Sequence, residues 1–181
     1  MVTGEAFDLG ADALGEAKAY LRMVGSDEDA LAARLLRSAG EHCEQFIGKV
    51  LLAGLFQETV PASAAWQRLR RSPVQAITAV EALRPDGLAA ALPADGYAID
   101  IDARGEGWIR VTAAGDATRV RVSYGAGLAP QWSGAPEALR QGIVRLAAHF
   151  YTHRDEAEGG APPAAVSALW RPWRRLGLRF R

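Results

Sequence analysis

Apolar positions recur at helical spacing near both ends of the chain and alternate in the middle. Leu31, Leu35, Ala39, Cys43, Phe46 and Ile47 form one stripe, which predicts a helix over 26–47 ended by Gly48. Ser26 with Asp29 three residues later reads as its N-terminal cap. Leu14, Ala17 and Leu21 predict a shorter helix over 12–23, while residues 1–11 read as irregular. From residue 55 to 125 the texture changes to short β-branched and aromatic segments: "LFQETV", "ITAVEAL", "YAID", "WIRVT" and "RVRVSY". Turn signals such as "PDG" and "RGEG" separate them. In the last segment Val120, Val122 and Tyr124 face one way and Arg119, Arg121 and Ser123 the other. A small antiparallel sheet, or two packed hairpin layers leaning on helices, is expected. Leu139, Ile143, Leu146 and Phe150 then predict a helix over 136–154, and Val166, Leu169 and Trp170 a short one over 164–170 that Pro172 stops.

The expected fold is α+β: a helical core of three longer helices, an inserted antiparallel β region, and a short C-terminal helix or arm. Residues 1–159 read as a body and 160–181 as an arm tethered by "DEAEGGAPP". A chain of 181 residues can bury about 70% of its unfolded surface without staples. The single cysteine, Cys43, permits no internal disulfide. No run approaches the roughly 18 apolar residues of a membrane span, and the N-terminus lacks signal-peptide character, so the cytoplasm or a particle assembled there is expected.

The formal net charge of zero hides an asymmetry. Arg171, Arg174, Arg175, Arg179 and Arg181 all lie in the tail, leaving 16 basic against 21 acidic residues elsewhere, a balance of −5. A basic tail on an acidic body points to a partner for the tail. Nucleic acid is one alternative, since arginines bind phosphate and tryptophans stack on bases. A membrane-surface helix is a weaker one, since the segment is short and broken by Pro172, the arm folding back on its own domain is the plain one, and the last is protein docking. A buried tryptophan hides roughly 200 Å², worth up to about 5 kcal/mol, against about 0–1 kcal/mol for an exposed arginine ion pair. Trp170 and Trp173 would then anchor and the arginines orient.

Other chemistry is thin. His149 and His153 share a helix face at i, i+4, but a zinc site needs a third fixed ligand, and no H-E-x-x-H is present. The wheel places His153 beside the buried stripe and His149 at its edge. His42 and Cys43 point about 100° apart and cannot pair. Cys43 falls on the apolar stripe, where a thiol is inert. Asp100 and Asp102 share a strand face and read as a solvated strand end. "YGAGLAP" lacks the third glycine of a phosphate cradle. No enzyme motif, metal site or cofactor is expected.

The order of motifs resembles the head–tail connector (adaptor) family of tailed phages. Lys18, Leu21 and Arg22 match its K-x-x-L-R segment, and Asp27 to Asp29 with Leu31 its D-E-D-x-L helix start; Ile47, Gly48 and Lys49 depart from its T-G-R. "LRRSPVQAITAVEALRPDG", "VRVSYGAGLAP" and "PEALRQGIVRLAAHFYTHRD" resemble later segments, with His149 and Tyr151 matching and Gly142 replacing the usual alanine. "VSALWRPWRRLGL" resembles the family's C-terminal V-x-x-L-L-x-P-x-R, with Trp170 in place of a leucine. The Ala- and Arg-rich style is also similar to the adaptors of gene transfer agents.

The resemblance implies a structural role: a self-associated ring, typically of twelve subunits, below the portal protein in the neck of a phage-like particle. The ring would extend the DNA channel, with DNA passing without sequence-specific binding, and would receive a stopper or tail-terminating protein. Leu169, Trp170, Arg171, Pro172, Trp173, Arg174 and Arg175 would be the portal-docking arm. No cofactor, metal or membrane is implied.

Overall fold

A computed structural model describes residues 2–4, 8–84, 88–153 and 162–175. The chain is mixed α+β and divides into two compact units, residues 1–6 with 53–128, and residues 7–52 with 129–181.

The first unit is all β. Strands β1 (Val2–Gly4), β2 (Gly54–Pro61), β4 (Val74–Leu83), β5 (Ala89–Ala91) and β8 (Arg119–Ala126) make one antiparallel sheet in the order β1-β2-β8-β4-β5. Strands β3 (Gln67–Arg68), β6 (Tyr97–Ile101) and β7 (Gly107–Val111) make a second, ordered β3-β7-β6. The alternation read in "RVRVSY" is the central feature. Val120, Val122 and Tyr124 are fully buried on β8, opposite Val60, Glu58 and Phe56 of β2. They join Leu69, Val74, Val80, Ile109 and Val111 in one apolar cluster drawn from both sheets. Each such side chain contributes about 1.5–3 kcal/mol by burial. The strands of both sheets thus share one buried core.

The chain's start also differs from expectation: Val2 to Gly4 pair with Phe56 to Glu58 as an added edge strand. Nothing periodic in three residues announces this; the partner lies more than 50 positions away. The "RGEG" break is a built turn. The Asp102 carboxylate accepts the backbone N–H of Arg104 and of Glu106, each at 2.9 Å, and the Trp108 indole N–H at 3.4 Å. Gly105 has φ +75°, and a Cβ there would lie 2.6 Å from the Pro73 Cβ. Its absence lets the Val74 N–H reach the Gly105 carbonyl at 2.7 Å. The "PDG" turn lies outside the described residues.

The second unit is helical: α1 (Gly10–Leu21), α2 (Asp29–Ile47), α3 (Glu137–Thr152) and α4 (Ala164–Trp170). α3 is the central element and packs against the other three helices. Leu139, Gly142, Ile143, Val144, Leu146, Ala147 and Ala148 are all buried, which leaves it little solvent face.

α2 starts three residues later than the Ser26 cap predicted. Ser26 instead accepts the Asp29 N–H through its backbone carbonyl, in a turn. Asp29 takes the helix start, where an acid is favoured by the helix dipole, and pairs with Lys18 of α1 at 2.5 Å. Further ties are Arg140 to Glu16 at 3.0 Å and the Tyr151 hydroxyl donating to Glu28 at 2.5 Å. The chain leaves this unit after Leu52 and returns at Ala129 beside it: the two form a parallel bridge, and the Ala129 N–H donates to the Leu51 carbonyl at 3.1 Å.

Candidate docking arm and its seat

α4 occupies the residues its apolar spacing predicted. Pro163 precedes it, and Pro172 converts its continuation into a single 3-10 turn over Arg171–Trp173. The structure gives the two tryptophans different places. Trp170 is 0% exposed. Its indole lies against Gly142 of α3, tilts against Phe46 of α2 at 5.7 Å between centroids, and donates its N–H to the Leu139 carbonyl at 3.4 Å. Trp170 therefore holds the arm to its own helices.

Trp173 is half-buried, as are Leu169 and Arg175, while Arg171, Pro172 and Arg174 are exposed. Beyond the turn, the Arg175 N–H donates to the Ile47 carbonyl at 2.8 Å, and the Arg174 guanidinium lies over the Phe46 ring at 5.2 Å. Leu169 and Trp173 thus keep part of their surface in solvent, beside the exposed Arg171 and Arg174. Arg179, Arg181 and most of the "DEAEGGAPP" tether lie outside the described residues.

Gly142 and Trp170, two departures from the adaptor pattern, are in contact. A Cβ on residue 142 would fall 2.8 Å from the indole Cε2 and 2.9 Å from Cδ1, with Nε1 nearer still. The glycine is the notch in which the larger side chain sits.

The other candidates resolve into structure. His149 is half-buried and His153 is exposed, not beside the buried stripe, because α3 ends at Thr152. Their ring centroids lie 4.2 Å apart with the planes tilted by 38°, and the His153 Nδ1 lies 3.1 Å from the His149 carbonyl. Among the described residues no group of three or more His, Cys, Asp or Glu side chains is placed to hold a metal ion. Cys43 is buried, and burial, aided by the Glu44 charge, pushes its thiol far above the usual range. Asp102 is the turn organiser described above. Against the desolvation that would raise it, the Glu106 and Arg104 amides and the Trp108 indole hold its carboxyl below the ordinary range. Asp100 is exposed.

One group escapes sequence reading. Glu58, 3% exposed, points into the β core opposite Val122. It accepts the Tyr124 hydroxyl at 3.0 Å and the Arg70 N–H at 2.9 Å, and it pairs with the Arg70 guanidinium at 3.3 Å. Burial and the Glu58 charge raise the Tyr124 phenol well above its usual value. The cluster satisfies its buried polar atoms and pins the loop after β3; it presents no nucleophile or free base. The only signal for it was an acid at an inward position of "LFQETV".

No protein-family model matches the chain, and no curated protein matches it. Solved structures do. The neck of an empty GTA particle, computed with C6 symmetry, is 26% identical with a TM-score of 0.78. The neck of a native GTA particle, computed with C12 symmetry, is 26% identical with a TM-score of 0.77. The virion of a native gene transfer agent particle contributes a third at 26% and 0.74. Each match covers 98% of this chain and 97% of the other. The chain is thus similar, over nearly its whole length, to neck proteins of gene transfer agent particles, in keeping with the head–tail adaptor resemblance of its motifs.

Proposed function

We propose that this protein is a head–tail adaptor: a structural, non-enzymatic subunit that closes into a dodecameric ring under the portal of a phage-like particle. The ring extends the DNA channel and receives the stopper or tail-terminating protein. The subunit is cytoplasmic before assembly and sits in the particle neck afterwards. The observation that carries this reading is the likeness to gene transfer agent necks over 98% of the chain, one of them computed with C12 symmetry.

Within this reading the arm is the portal contact, and its labour is divided. Trp170 fixes α4, so that Leu169, Arg171, Pro172, Trp173, Arg174 and Arg175 are offered from a rigid seat. An aromatic flanked by arginines is the residue set enriched at interface hot spots, and the arginines favour an acidic protein surface.

Deleting the arm would strip Trp170 from the helical core, so point variants are the cleaner test. With purified portal rings, Trp173→Ala should weaken co-sedimentation by about 30-fold, the effect of losing about 2 kcal/mol at a hot spot. Trp173→Ala protein that joins portal rings as well as wild type would overturn the arm assignment.

A further inference from the structure

The β unit leaves one sheet edge open. Among the described residues the other edges are short or interrupted: β1 and β5 have three residues and β3 has two. β2 ends on Pro61, and β4 carries register shifts between Val74 and Ala76 and between Ile77 and Ala79. Such devices keep strands from pairing with other chains. β6, Tyr97–Ile101, has none of them and lies at the outside of its sheet.

The parity of its hydrogen bonds is fixed. The Asp102 N–H donates to Glu106, and the Thr112 N–H donates to Gly96, so even-numbered residues face β7. Tyr97, Ile99 and Ile101 therefore turn their backbone N–H and C=O groups outward. Their flanking side chains sort by face. Ile99 and Ile101, 43% and 38% exposed, lie on the apolar face with Ile109, and Asp100 is exposed on the other.

The last six residues, Leu176 to Arg181, carry the complementary pattern. Leu176, Leu178 and Phe180 alternate with Gly177, Arg179 and Arg181. As a strand, this segment puts apolar side chains on one face and guanidinium groups on the other. Six extended residues span roughly 20 Å, enough to cover the roughly 17 Å of a five-residue strand.

We infer that residues 176–181 of one copy add as a strand to the β6 edge of the next copy, with the leucines and Phe180 on Ile99 and Ile101 and the arginines beside Asp100. The inference rests on the ring reading, because a cyclic ring needs a heterologous contact in which a donor patch on each subunit meets a different acceptor patch on its neighbour. Main-chain pairing supplies affinity and the alternating faces fix the register.

The test is a fluorescein-labelled peptide of residues 174–181 titrated into the full chain and followed by anisotropy. Saturable binding is expected, weakened about fivefold or more by Asp100→Arg as an opposite-charge pair becomes a like-charge one. A peptide carrying Arg179→Asp should recover binding to the Asp100→Arg chain, which a merely structural role for Asp100 would not produce. Ile99→Lys should weaken both peptides. Absence of saturable binding at about 1 mM peptide, an affinity of only about 4 kcal/mol, would overturn the inference, as would equal binding to wild type and Asp100→Arg. Portal co-sedimentation of the wild-type chain separates the two ideas: attachment without peptide binding defeats strand addition alone, and peptide binding without attachment defeats the adaptor reading.

Discussion

Replacing Gly142 by alanine adds one methyl group where α3 meets the Trp170 indole. Two opposed effects follow. Alanine is favoured over glycine inside a helix by about 1 kcal/mol. The new Cβ would meet the indole Nε1 first and lie 2.8 Å from Cε2, against the roughly 3.5–4.0 Å of a comfortable carbon contact. Overpacking of this kind costs about 1–3 kcal/mol. Expelling the indole instead would forfeit about 5 kcal/mol of burial, so the arm should stay seated and the strain be borne locally. The net expectation is a loss of about 1 kcal/mol, or a fall in Tm of about 2–4 °C for a chain of this size.

The sign should reverse once the indole is gone. In a Trp170→Leu background the same change should gain its helix-propensity term of about 1 kcal/mol, giving a coupling of about 2 kcal/mol between the two positions. Urea unfolding of the four proteins, followed by far-UV circular dichroism, measures this cycle. If Gly142→Ala stabilised both backgrounds equally, the notch account would be refuted.

Glu58→Ala should cost about 2–4 kcal/mol in urea unfolding, because it strands the Tyr124 hydroxyl and the Arg70 amide in the β core; Tyr124→Phe should cost less, about 1–2 kcal/mol. For Asp102 the sign follows from its depressed folded value. Its contribution is complete above the unfolded carboxyl value of about pH 4 and is lost as pH falls through the lower folded one, so Asp102→Asn should flatten the acid limb of stability below about pH 4. Identical pH profiles for Asp102→Asn and wild type would count against the turn's electrostatic role. At the arm, Trp173→Ala should weaken portal attachment more than Arg179→Ala does, as measured by co-sedimentation with portal rings.

What the sequence made legible was set by local periodicity. α4 and the buried face of β8 came from spacing alone, since each residue's burial is dictated by neighbours within one turn or one pleat. Features that depend on distant partners were opaque. The pairing of Val2 to Gly4 with β2, the turn of Glu58 toward Tyr124 sixty-six positions away, and the core shared by the two sheets have no local signature. The C-terminal helix and its turn show the boundary between the two. The helix and its proline stop were readable. Their two tryptophans looked equivalent until the Gly142 notch, twenty-eight positions upstream, assigned one of them inward.

The bridge between Leu52 and Ala129 has a consequence for how such a chain is built up over evolution. Apart from the N-terminal edge strand β1, the β unit is one excursion of the chain, residues 53–128, whose flanking residues Leu52 and Ala129 are bridged within the helical unit. An excursion whose ends already touch can be lengthened, exchanged for another sheet, or replaced by a tight turn without moving the helices that carry the arm. Grafting a turn between Leu52 and Ala129, with residues 1–6 removed as well because β1 would lose its partner strand, should therefore leave a helical protein with Trp170 still seated.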